Sequence, residues 1–104
     1  MKKMRIMLLT AASLCSGLAL PALAQDANLA RDLAATCTHC HGTDGRSAGG
    51  TVALAGVPKD QIVQKMKEFK AGTRPSTIMQ QLSKGYTEQQ LELISEYFSK
   101  QKAQ

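Results

Sequence analysis

Cys37-Thr38-His39-Cys40-His41 is the stretch on which the reading of this 104-residue chain turns. On one helical turn the two thiols stand three residues apart, and the imidazole of His41 follows the second at once. These residues match the pentapeptide that attaches a c-type haem, with Cys37 and Cys40 reaching the two vinyl groups and His41 placing a ring nitrogen on the iron. Other uses of the same residues each lack a part. A thioredoxin-like redox pair wants alternating strands and helices, a pattern absent from this sequence. A structural zinc site wants four ligands, and no second ligand pair stands at conventional spacing. His39 and His41 flank Cys40 too closely to complete a tetrahedron.

The N-terminus opens with Met1-Lys2-Lys3-Met4-Arg5, continues as an apolar run from Ile6 to Leu20, and closes with Pro21-Ala22-Leu23-Ala24 before Gln25. That order reads as a secretory signal peptide over residues 1–24, cleaved between Ala24 and Gln25 and directing the product to the periplasm. The apolar run is too short to span a bilayer comfortably, so no membrane anchor is expected. A lipoprotein anchored at Cys15 is the alternative, disfavoured because Leu14 stands where a small residue is wanted. Removing residues 1–24 also removes Cys15, so the only remaining thiols are those of the pentapeptide. A domain of 80 residues buries little apolar surface, and a porphyrin would complete its core. Cleavage also takes Lys2, Lys3 and Arg5 with it, and the formal charge falls from +5 to +2. Nucleic-acid binding, which wants a sustained basic excess, is not expected.

Residues 25–104 read as one all-α domain. Leu29, Ala30, Leu33, Ala34 and Cys37 recur at helical spacing and predict a helix from Asp26 to about Cys40. Five glycines between Gly42 and Gly56 predict a loop of tight turns, with Val52 and Leu54 as its core contacts. Pro58 at the first helical position introduces a helix to about Ala71, with Ile62, Val63, Met66 and Phe69 on its apolar side and Gly72 ending it. After the turn Thr73-Arg74-Pro75-Ser76, a short helix is expected from Thr77 to Lys84, ended by Gly85. Thr87 and Gln90 read as a capping box opening the last helix, which runs to about Gln101. Its Leu91, Ile94 and Phe98 form an apolar stripe opposite Glu88, Glu92 and Glu96. The first and last helices are expected to pack together, giving three to four helices wrapped around one covalently attached haem.

A sixth iron ligand is sought among the methionines that survive cleavage. Met66 lies on the apolar stripe of its helix, where methionine usually fills core space. Met79 follows the Pro75 turn, far enough beyond His41 for the chain to cross to the opposite haem face. Its other reading is a core residue between Ile78 and Leu82. His39, confined within the attachment turn, is a poor candidate. Histidine with methionine raises the reduction potential and leaves no open position on the iron, which suits electron transfer.

With the pentapeptide and following Gly42, the Leu54-Ala55-Gly56 stretch and Met79, the chain resembles class I c-type cytochromes over nearly all its mature length. The stretch from Phe69 to Met79, then Lys84-Gly85-Tyr86-Thr87 and Tyr97-Phe98, is similar to the cytochrome subunits of flavocytochrome c sulfide dehydrogenases. The resemblance implies a small cytochrome c-like fold, Cys37 and Cys40 as thioether sites, and His41 and Met79 as proximal and distal ligands of one haem c. It also implies a backbone carbonyl near Val52 for the proximal histidine, although relatives often carry proline near that position. A flavoprotein that oxidises sulfide is the partner it suggests. The competing expectations are a free electron shuttle and, with an open iron position, a haem sensor or peroxidase-like protein. The chain is thus expected to carry electrons without catalysing chemistry itself. Residues 58–85 hold Lys59, Lys65, Lys67, Lys70, Arg74 and Lys84 against Asp60 and Glu68. That excess either steers an acidic partner toward the haem or is an ordinary solvated surface.

Overall fold

The computed structural model describes residues 27–103. The expected signal peptide and its cleavage point lie outside the described residues. Among the described residues the elements are all helical: α1 (Ala27–Ala35), α2 (Thr38–His41), a 3-10 turn (Thr43–Gly45), α3 (Lys59–Ala71), α4 (Met79–Lys84) and α5 (Glu88–Ser99).

The single helix expected over residues 26–40 is in fact two, and the threonines between them supply the reason. Cys37 N donates back three residues to Ala34 O, tightening the last turn of α1, while Thr36 Oγ1 takes the Leu33 carbonyl and Thr38 Oγ1 takes that of Ala35. Carbonyls left over at the helix end are satisfied by side chains, so the chain can turn before helix resumes at Thr38.

Pro58 sits one residue earlier than expected. Its extended ψ of 136° makes it the cap residue of α3, and its carbonyl accepts from Gln61 N and Ile62 N. At the other end Gly72 adopts the left-handed conformation that terminates the helix, as its place in the sequence predicts. α4 starts at Met79, not Thr77, because Ser76 Oγ accepts from Gln80 N and holds the preceding residues outside the helix. Gly85 caps its end. The capping box is present in full: Gln90 N donates to Thr87 Oγ1 at 3.1 Å, and Thr87 N donates to Gln90 Oε1 at 2.9 Å. The last helix ends at Ser99, two residues short of the expected limit.

α5 is the centre of the fold, packed against α1 on one side and α3 on the other, with α4 resting on α3. Ala34, Ile62, Ile94 and Phe98 form the core cluster, joined at its margin by Leu33, Cys37, Leu54, Met66, Tyr86 and Tyr97. Ala34 has no side chain beyond its methyl, which lets α1 approach α5 closely at that point. Met66 is thus a core residue, as its stripe position predicts. Val52 is not: its side chain is 68% exposed, and only Leu54 of the expected loop pair reaches the core.

Candidate haem site

Cys37 to His41 form one turn. The Cys37 carbonyl accepts from Cys40 N at 3.3 Å and His41 N at 2.9 Å, which keeps both thiols and the imidazole on a short rigid unit. Gly42 closes the turn with φ 82° and ψ 165°, a conformation open almost only to glycine. A β-carbon there would collide with the Arg46 carbonyl. Cys37 is partly buried and Cys40 exposed. Burial pushes the Cys37 thiol above its ordinary range, with a hydrogen bond to Thr36 pulling partly back, so the group stands as a neutral thiol at neutral pH.

His41 Nδ1 lies 2.6 Å from the Val52 carbonyl oxygen. A carbonyl can only accept, so Nδ1 carries a proton, and in the neutral ring the lone pair is the one on Nε2. The bond selects one tautomer of the neutral ring and leaves Nε2 as the nitrogen not engaged by the backbone. Val52 therefore serves the site through its main chain while its side chain faces outward.

That carbonyl is held by bonds that reach far along the chain. Gly45 O accepts from Leu54 N at 2.8 Å and Ala55 N at 3.2 Å, closing the glycine-rich loop on itself. Gly56 N then donates to Phe98 O at 2.9 Å, and Arg46 Nε to Lys102 O at 3.0 Å, joining the loop to the end of α5. Tyr97 OH donates to Asp44 Oδ1 at 2.6 Å. This bond and burial push the Tyr97 phenol above its ordinary range. On the other side of the pentapeptide, the Tyr86 and Thr36 hydroxyls share a 2.6 Å hydrogen bond, and Lys70 Nζ donates to the Tyr86 carbonyl at 2.6 Å. Nothing in the sequence marks these contacts, which join residues about fifty positions apart.

Met79 is the first residue of α4, half-buried, between Ile78 at 53% and Leu82 at 46% exposure. The two segments that carry His41 and Met79 thus also present the large apolar side chains Val52, Ile78 and Leu82 at the surface. An imidazole anchored through Nδ1, a thioether sulfur, two thiols on one turn and exposed aliphatic carbon are a set of groups whose chemistry fits an iron porphyrin.

Three of the six cations on the expected basic face are paired with carboxylates. Lys59 pairs with Glu92 at 2.9 Å and Glu96 at 3.8 Å, Lys67 with Glu88 at 3.6 Å, and Arg74 with Glu68 at 2.6 Å. The acidic side of α5, opposite its apolar stripe, supplies most of these partners. Lys70 donates to the Tyr86 carbonyl and keeps its charge, so Lys65, Lys70 and Lys84 stand outside any ion pair among the described residues.

A helical body of this size with Cys-x-x-Cys-His on one turn has the makeup of a haem-attaching protein. Residues 27–102 match the pattern of the cytochrome c family, and the chain belongs to that family. Its members carry covalently bound haem c and transfer electrons. The chain is 41% identical over 66 residues to the cytochrome subunit of sulfide dehydrogenase from Chlorobaculum tepidum, a match covering 64% of this chain and 60% of that protein. It is 29% identical over 98 residues to cytochrome c-553 of Nitratidesulfovibrio vulgaris, covering 89% of this chain and 96% of that one. Among solved structures, Acidithiobacillus ferrooxidans cytochrome c4 superposes with a TM-score of 0.61 at 32% identity, over 68% of this chain and 49% of that chain. The match therefore spans less than two thirds of the sulfide dehydrogenase subunit and about half of the cytochrome c4. No helix among the described residues is long and apolar enough to cross a membrane.

Proposed function

We propose that this chain is a periplasmic electron carrier holding one haem c, tethered through Cys37 and Cys40 and ligated by His41 and Met79. The observation that carries the reading is the bond from His41 Nδ1 to the Val52 carbonyl, which presets the tautomer an iron ligand needs. When bound, the haem supplies a one-electron couple. The protein's part is to hold its two axial donors in fixed positions, so that little rearranges when the charge on the iron changes. His41 is oriented by Val52, whose carbonyl also raises the basicity of the ring. Met79 is presented at the start of α4, beside the exposed apolar residues Ile78 and Leu82.

Two spectra test the ligand assignment. Oxidised Met79→Ala should lose the sulfur-to-iron charge-transfer band at the red end of the spectrum, and Met66→Ala should keep it. The opposite outcome overturns the assignment. Export rests on the order of charges and apolar residues in 1–24, leaving 25–104 as the mature domain. Intact mass of the secreted protein should correspond to a chain beginning at Gln25 plus one haem.

A more specific reading makes the chain the electron-accepting subunit of a sulfide-oxidising flavoprotein. It is favoured by the 41% identity to the cytochrome subunit of sulfide dehydrogenase. Under this reading catalysis belongs to the partner. Co-purification of a flavin-containing protein in equal amount supports it, whereas a monomer that elutes alone and is reduced by diffusing partners identifies a free shuttle.

A further inference from the structure

The segment between α3 and α4 is short, and one residue gathers most of its hydrogen bonds through its main chain and its side chain. The Glu68 carbonyl, in the last turn of α3, accepts from Thr73 N at 2.9 Å, Arg74 N at 3.4 Å and Thr73 Oγ1 at 3.3 Å. Its carboxylate accepts from Arg74 Nε at 2.6 Å and from Gln64 Nε2 at 3.0 Å. The Arg74 guanidinium also lies over the Phe69 ring, 5.9 Å from its centre. Arg74 is therefore held at its backbone, its head group and its planar face. The next residue is Pro75, which fixes its own φ and restricts the backbone of Arg74. Ser76 follows, and its hydroxyl accepts from Gln80 N at 2.9 Å. Behind it, the Gln80 side chain lies against Gly72. Little slack is left between the Arg74 anchor and Met79.

We infer that Glu68 and Arg74 are positioning residues for the distal ligand: their pair sets the place of the Met79 sulfur and thereby the strength of its bond to iron. The inference rests on the assignment of Met79 as ligand. Neither residue touches the site itself. The side chains of Glu68 and Arg74 are 29% and 40% exposed, so their pairing acts through geometry more than through buried charge. Hydrogen bonds from Gln64 and Arg74 hold the Glu68 carboxyl below its ordinary range, so it stays ionised throughout neutral conditions.

Imidazole, which competes with the thioether for the oxidised iron, is the probe for the holoprotein at pH 7. Glu68→Gln and Arg74→Gln should each tighten imidazole binding about two- to fivefold, the range expected from loss of one partly exposed pair. The double variant should add little, since both changes break the same contact. Arg74→Lys, which keeps the charge but not the flat head group, should fall between. Lys67→Gln, which breaks the exposed pair between α3 and Glu88 of α5, should leave imidazole affinity unchanged. Unchanged affinity in both Glu68→Gln and Arg74→Gln, with only a lower melting temperature, overturns the inference and leaves a purely structural clamp. If either variant fails to accumulate as holoprotein, Arg74→Lys decides, and wild-type affinity there counts against the proposal. A charge-transfer band that survives in Met79→Ala overturns the ligand assignment instead, and so separates the two failures.

Discussion

Replacing Tyr97 by Phe removes one hydroxyl and tests how firmly the loop that holds the Val52 carbonyl is fastened to α5. The phenol donates to Asp44 Oδ1 at 2.6 Å, a short bond to a charged acceptor. Such bonds contribute about 1.5–3 kcal/mol when enclosed. The Asp44 side chain is 36% exposed and also has Arg46 at 3.7 Å, so solvent and a second partner compensate much of the loss. A cost of about 1 kcal/mol is expected for Tyr97→Phe at pH 7. The edge-on packing of ring 97 against Phe98, with centres 5.4 Å apart, survives the change. The sign of the pH dependence follows from the raised phenol pKa. The folded state favours the protonated phenol, so its contribution is full below the unfolded value of about 10 and is lost as pH rises through the higher folded value. Urea denaturation of holoprotein and variant from pH 6 to pH 11 reads this directly. The stability gap should stay level to about pH 9 and then close. Asp44→Asn makes a suitable second arm, since Asp44 sits at φ 53° and asparagine tolerates that region better than alanine. In a double-mutant cycle the two changes should couple rather than add. No gap at pH 7, or a gap that widens in alkali, would refute the reasoning.

Thr87→Ala removes the hydroxyl that accepts from Gln90 N, the half of the capping box made by the Thr87 side chain, and should cost about 0.5–2 kcal/mol, measured by chemical denaturation. Ser95→Ala should be neutral or stabilise by about 1 kcal/mol, because Ser95 Oγ is fully buried without a hydrogen-bond partner and alanine is the better helix former. A clear loss of melting temperature in Ser95→Ala would mean that the hydroxyl has a use. Gly42→Ala forces both a glycine-only conformation and a collision with the Arg46 carbonyl, and should cost at least about 3 kcal/mol. Low yield of haem-loaded protein in the periplasm is its expected signature.

Where local chemistry decides, the sequence was readable. Gly72, Gly85 and the Thr87–Gln90 pair mark helix ends through interactions within a few residues, and all three stand where their types predict. The break between α1 and α2 was hidden because Thr36 and Thr38 look like tolerable helix residues until their hydroxyls take carbonyls from the turn before. Val52 misled through its side chain, since apolar character promised burial while the loop uses only its main chain. The basic excess of residues 58–85 was countable, but its partial neutralisation depends on α3 and α5 lying side by side. Charges summed along a chain carry no record of which helix will face them.

The pairing of α1 with α5 brings the two ends of the described chain together. Synthesis makes the stretch around Cys37 early and the helix that shelters it last. Cys37, partly buried against the core that this helix completes, is therefore most open to a maturation apparatus before the final helix docks, whereas Cys40 stays exposed after it.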